Sequence, residues 1–170
     1  MPVPLIWLGA GLVALYGGVK YSDAHRGSPA AGSHERDSAV LPLDGCIVSC
    51  GVFGVFDHCG IWNDGTIIEL RGNGLIRGIS PERFLSQRSG EDIFVACDAR
   101  QQPLVAPGTQ RRALGQLYQY LEYDLINNNC HKFVWQCISD TNEPLTRFAE
   151  LKHKMAAHFD SEITWQKALY

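Results

Sequence analysis

The stretch Val55-Phe56-Asp57-His58-Cys59-Gly60-Ile61-Trp62-Asn63-Asp64-Gly65-Thr66-Ile67-Ile68-Glu69-Leu70 reads as two β-strands joined by a tight turn. β-Branched and aromatic residues flank Asn-Asp-Gly, a strong hairpin signal because Asp-Gly tolerates the positive φ values of a two-residue turn. Alternation places Phe56, His58, Gly60 and Trp62 on one face and Asp57, Cys59 and Ile61 on the other. If Asp64-Gly65 is the turn, Gly60 pairs with Glu69, and Glu69 becomes the diagonal same-face neighbour of His58 across a glycine that leaves space between them. A three-residue turn would shift the register by one and point Glu69 away. A carboxylate beside the imidazole would fix its tautomer and favour its charged form, the orienting role in a nucleophile, base and orienter triad. The plain alternatives are a hydrogen-bonded core histidine and a solvated strand glutamate.

Outward from this hairpin, Gly45–Phe53 and Ile93–Cys97 are further strand patterns, and Gly72-Asn73-Gly74 turns the chain into Leu75–Ile79. Ser80-Pro81 joins a helix cap to a proline in first helical position, opening a short helix through Phe84 and Leu85. Pro107–Leu121 carries Ala113, Leu114, Leu117, Tyr118 and Leu121 at helical spacing and is expected to be helical. A second helix is expected after Asn127-Asn128-Asn129, with Phe133, Val134, Cys137 and Ile138 on its apolar face. Asn129 is a preferred cap, which puts Cys130 in the first turn. A third helix is expected through Leu145, Phe148, Leu151 and Met155, and a terminal one, capped by Ser161, through Ile163, Trp165 and Leu169. Strands first and helices after describe an α+β domain with an antiparallel sheet packed on helices, not a Rossmann-type alternation.

A thiol is nucleophilic as thiolate, and a helix start lowers its pKa, more so with an imidazolium nearby. Cys130 alone combines a polar approach with a helix start: Cys46, Cys50, Cys59 and Cys97 lie in strand patterns, and Cys137 lies on an apolar face. Six cysteines would allow three disulfides in an oxidising compartment, but without a C-x-x-C pair a structural metal site is not expected, and no cofactor is implied. With 15 basic and 18 acidic residues, no overall field favours nucleic acid.

Residues 2–19 carry no charged side chain, and a helix of that length rises about 27 Å against a hydrocarbon core of about 30 Å. With Lys20 and Arg26 after the run and no basic residue before it, the segment reads as an uncleaved single-pass anchor with the folded part on the cytoplasmic side. An amphipathic or buried N-terminal helix is the alternative. Residues 20–39 read as a polar Ser-, Gly- and Ala-rich tether, and the folded domain as 40–170.

His58-Cys59-Gly60-Ile61-Trp62, the turn into Ile67-Ile68-Glu69, Tyr123 seven residues before Cys130, and Asn129-Cys130-His131-Lys132-Phe133-Val134 followed by Cys137 together resemble the lecithin:retinol acyltransferase (LRAT) family. That family is the circularly permuted branch of the NlpC-type papain-like superfamily, and the resemblance spans about Leu41–Ser139. It implies Cys130 as nucleophile and His58 as base. Where vertebrate members carry a second histidine, this chain has Glu69 after a turn one residue shorter, so the orienter is transferred by position only. Where members commonly read N-C-E-H-F-V, His131-Lys132 stands here, a cation beside Cys130 in place of an acid. Lys132 is expected to favour the thiolate or bind an anionic head group, with a solvated helix lysine as the plain reading. Trp62 and Tyr123 join it as expected substrate-binding residues. The function implied is a membrane-tethered thiol acyltransferase or phospholipid acyl hydrolase. The alternatives are an NlpC-type peptidase or amidase acting on peptide or cell-wall amides, and a catalytically idle membrane adaptor.

Overall fold

The computed structural model describes residues 39–52, 56–124 and 128–170, so the expected anchor and nearly all of the expected tether lie outside the described residues. No helix among the described residues is long and apolar enough to cross a membrane.

The strands are β1 (Ala39–Val40), β2 (Ile47–Val52), β3 (Phe56–Asn63), β4 (Thr66–Leu70), β5 (Ile76–Ile79), β6 (Phe94–Cys97) and β7 (Thr164–Ala168), and the helices α1 (Pro81–Leu85), α2 (Thr109–Leu114), α3 (Cys130–Ser139) and α4 (Phe148–Phe159). The strands form one mixed sheet in the order β1-β7-β6-β2-β3-β4-β5. Among the described residues only β1 and β7 pair in parallel, which makes the expected antiparallel sheet a mixed one; the other neighbours are antiparallel. The architecture is α+β.

Alternation along the central strands sends side chains into two cores. Ile47, Cys59, Ile61, Ile68 and Leu70 meet Phe133, Val134 and Ile138 of α3 and Leu151 and Met155 of α4 on one face. Val48, Cys50, Trp62, Ile67 and Val95 meet Phe84 of α1 on the other. Complete burial of side chains such as Phe133 and Ile138 stabilises the helical layer by about 2–3 kcal/mol each. α3 lies against β3 with α2 and α4 beside it, which brings its first turn to the strand that carries His58.

Asp64 and Gly65 both have positive φ, 43° and 70°, the signature of a two-residue type I′ turn. The register follows: Ile61 faces Ile68 and Asn63 faces Thr66, so Gly60 is level with Glu69. A Cβ on Gly60 would lie 2.5 Å from Ile67 Cγ2 and 2.9 Å from the Ile68 carbonyl oxygen. Gly60→Ala is therefore expected to cost about 1–3 kcal/mol by overpacking, read as a lower urea midpoint with an unchanged m-value. An unchanged midpoint would show that β3 and β4 can separate without penalty.

Three expectations are corrected. The segment after Ser161 is not a helix but strand β7: Gln166 and Ala168 are buried around an exposed Lys167, a period of two, and its backbone pairs β6 on one edge and β1 on the other. The helix expected over Pro107–Leu121 spans only Thr109–Leu114. Beyond it Tyr118 takes φ +66°, its N–H donates to the Ile76 carbonyl, and the Ile76 N–H donates to that of Gln119, so the chain satisfies the edge of β5 in place of another helical turn. The helix expected from Leu145 begins at Phe148, where Glu150 accepts from the Thr146 and Arg147 N–H groups and Leu145 is buried just ahead of it. None of the six cysteines is in a disulfide.

Candidate active site

Asn129 caps α3 with its side-chain oxygen 3.0 Å from the Lys132 N–H, while its amide nitrogen donates to the Leu145 carbonyl at 3.1 Å. The cap thus ties the helix start to the chain leading into α4. Cys130 is the first residue of the helix, and its sulfur lies 4.0 Å from the Asp57 carbonyl oxygen of β3.

From β3, His58 comes close enough to Cys130 for the charge of each to act on the other. Its Nε2 lies 2.7 Å from Glu69 Oε2, which leaves Nδ1 for the thiol. Glu69 is fully buried and accepts from four donors: Arg77 Nε at 2.9 Å and Nη2 at 2.8 Å on one oxygen, and His58 Nε2 and Arg88 Nη2 at 2.9 Å on the other. Four donors fill the acceptor capacity of a carboxylate. Burial alone would raise its pKa, but the hydrogen bond and charge of His58 and the two arginines bring it down to about 2. Glu69 is therefore ionised at any physiological pH.

Burial pushes the thiols of Cys46, Cys50, Cys97 and Cys137 up to about 12 and that of Cys59 up to about 11. Cys130 goes the other way. Burial opposes its ionisation, but the charges of His131 and then His58 hold the thiol well below its ordinary value. Burial likewise opposes the His58 cation and is outweighed by the Cys130 thiolate and the Glu69 hydrogen bond, so the His58 pKa is raised.

Cys130, His58 and Glu69, singled out from sequence, are thus brought together. Tyr123 is drawn in as well: burial, then the Cys130 charge, push its phenol up to about 12. Trp62 shares the face of His58, but its indole packs against the Tyr170 ring, with centroids 6.1 Å apart. Lys132 is half-buried, and its backbone N–H is held by the cap. The charge that acts most on the thiol is that of His131 and not that of Lys132. Arg77 and Arg88 were not singled out at all. Arg77 was accessible through hairpin register, since it lies directly opposite Glu69 on β5. Arg88 was not, because it reaches Glu69 from an irregular segment after α1, across the Phe84 ring. Among the described residues no group of His, Cys, Asp and Glu is placed to hold a metal ion.

Compared with protein families, curated proteins and solved structures, the chain matches none.

Proposed function

We propose that this chain is a cysteine-nucleophile acyl-transfer enzyme of the LRAT-like, permuted papain-like type, acting on acyl esters of phospholipid-like donors at a membrane. The observation that carries the reading is the run Cys130, His58, Glu69: a thiol at a helix start, beside a histidine whose Nε2 is held by a buried, ionised carboxylate. The lipid substrate rests on the sequence resemblance and on the uncharged run of residues 2–19. A membrane anchor there would keep the site next to lipid and raise its effective concentration without any new contact.

In this mechanism His58 takes the Cys130 proton and the thiolate attacks the ester carbonyl carbon. The backbone N–H groups opening α3 face the oxyanion that develops. The intermediate collapses with cleavage of the carbon–oxygen bond, the leaving alkoxide takes the proton from His58, and a Cys130 thioester remains. Water or an alcohol or amine acceptor, deprotonated by His58, then attacks the thioester and restores the thiol. Glu69 keeps the imidazole oriented and favours its charged form. Lys132 is assigned to an anionic head group and Tyr123 to substrate contact, whereas Trp62 is taken up by the core.

The test is the intact mass of the full chain after incubation with mixed phospholipid vesicles, beside Cys130→Ala and His58→Ala. An added acyl mass on the parent, absent from both variants, is the expected result. No adduct, with no lysolipid or free fatty acid in the same tubes, would overturn the reading in favour of amide substrates or a non-catalytic adaptor.

A further inference from the structure

We infer that His131 is a standing imidazolium, protonated on both ring nitrogens, whose task is to hold Cys130 as the thiolate, leaving His58 as the proton carrier. The inference deepens the proposed function and rests on Cys130 being its nucleophile.

The argument is an accounting of donors. His131 Nε2 lies 3.1 Å from the Asp57 carbonyl oxygen of β3, and Nδ1 lies 3.3 Å from the Thr146 carbonyl oxygen ahead of α4. A carbonyl oxygen only accepts, so each contact is a hydrogen bond only if that nitrogen carries a proton. Two such contacts make the ring a cation; a neutral ring would set a nitrogen lone pair against an oxygen lone pair inside the protein. His58 is held differently, with Nε2 on a carboxylate and the remaining nitrogen left for the sulfur. Its sulfur-facing proton can leave and return without stranding a buried acceptor. The two histidines also come from opposite layers. The His58 ring packs on Phe84, with centroids 5.2 Å apart, and the His131 ring on Phe148, 5.7 Å apart.

The titratable groups facing His131 are Cys130 of its own helix, Cys59 of β3, and Tyr123; β3 also presents the Asp57 carbonyl, and α4 the Phe148 ring. Burial works against the His131 cation, but the charge of Cys130 above all, with the Cys59 sulfur beside it, raises its pKa well above the ordinary value. Its charge also acts on Cys130 ahead of that of His58.

The test is the pH dependence of iodoacetamide alkylation at Cys130 in the full chain, read at that residue by peptide mass spectrometry. For His131→Gln the midpoint is expected to move up by about 1–3 pH units, the effect of losing one close opposite charge. His131→Lys, which restores a cation, is expected to recover part of that shift, and His58→Gln to keep a midpoint below that of His131→Gln while losing lipid turnover. A His131→Gln profile that coincides with the parent's overturns the inference. Should that variant not fold, ¹⁵N spectra of labelled histidine in His58→Gln decide: an imidazolium pair persisting at pH 8 is expected, and its absence overturns the inference. If instead Cys130→Ala leaves lipid turnover intact, the proposed function falls, while the alkylation profile still reports whether His131 holds a thiolate.

Discussion

Cys130→Ala in the full chain is expected to lower the release of lysolipid and fatty acid from phospholipid vesicles by at least about 10³-fold, because the attacking atom itself is gone. His58→Ala is expected to fall to a similar floor. The double variant should be no slower than either single one: the thiol and its base act as one unit, and removing the second member of a broken unit takes nothing further away. The measurement is the initial rate on vesicles for the three variants, with far-ultraviolet circular dichroism verifying that each is folded. Release at the parent rate by Cys130→Ala would remove the thiol from the chemistry. Additive losses would show that His58 works independently of Cys130.

Glu69→Gln is expected to have the largest effect on stability. Its carboxylate neutralises Arg77, Arg88 and His58 in a site where it is itself fully buried. Replacing it leaves half-buried cations facing a neutral amide that can neither accept four bonds nor balance their charge. A pKa of about 2 in the folded chain, against an ordinary 4.5, makes the sign definite. The folded state prefers the ionised form, so the contribution is complete above pH 4.5 and is lost as pH falls toward 2. A shift of that size corresponds to about 3 kcal/mol. His58 contributes in the opposite sense: its pKa is raised from 6.5, so its share is complete below that value and fades as pH climbs through the raised one. Urea unfolding of parent and Glu69→Gln across a pH series should show a gap that is widest between about pH 5 and 6.5, closes on acidification and narrows at alkaline pH. A gap independent of pH would mean that Glu69 stabilises the fold by shape and not by charge.

The relation between His58 and Glu69 is legible in the sequence up to the choice between a two- and a three-residue turn, because it depends on local rules. Strand alternation has a period of two, Asp-Gly accepts the two positive φ values of a tight turn, and together they bring Glu69 level with Gly60. The place of Cys130 was legible for the same kind of reason, since Asn129 caps a helix through a bond three residues away. What failed were the places where distant backbone competed with local preference. Residues 115–121 carry a helical spacing yet hydrogen-bond to β5, and the segment after Ser161 becomes a strand between β6 and β1 because those edges offer it partners.

By itself, then, the sequence determined the α+β class, the hairpin with two possible registers, and the chemical identity of a thiol, a histidine and a carboxylate that could work together. Only the tertiary structure decided which groups surround them: that Arg77 and Arg88 clamp Glu69, and that His131, not Lys132, is turned between two carbonyl oxygens beside the thiol. Register and capping are set within a few residues of chain, whereas the charge felt by a buried group is set by whatever the fold brings within a few ångströms of it, from segments whose separation in sequence carries no signal.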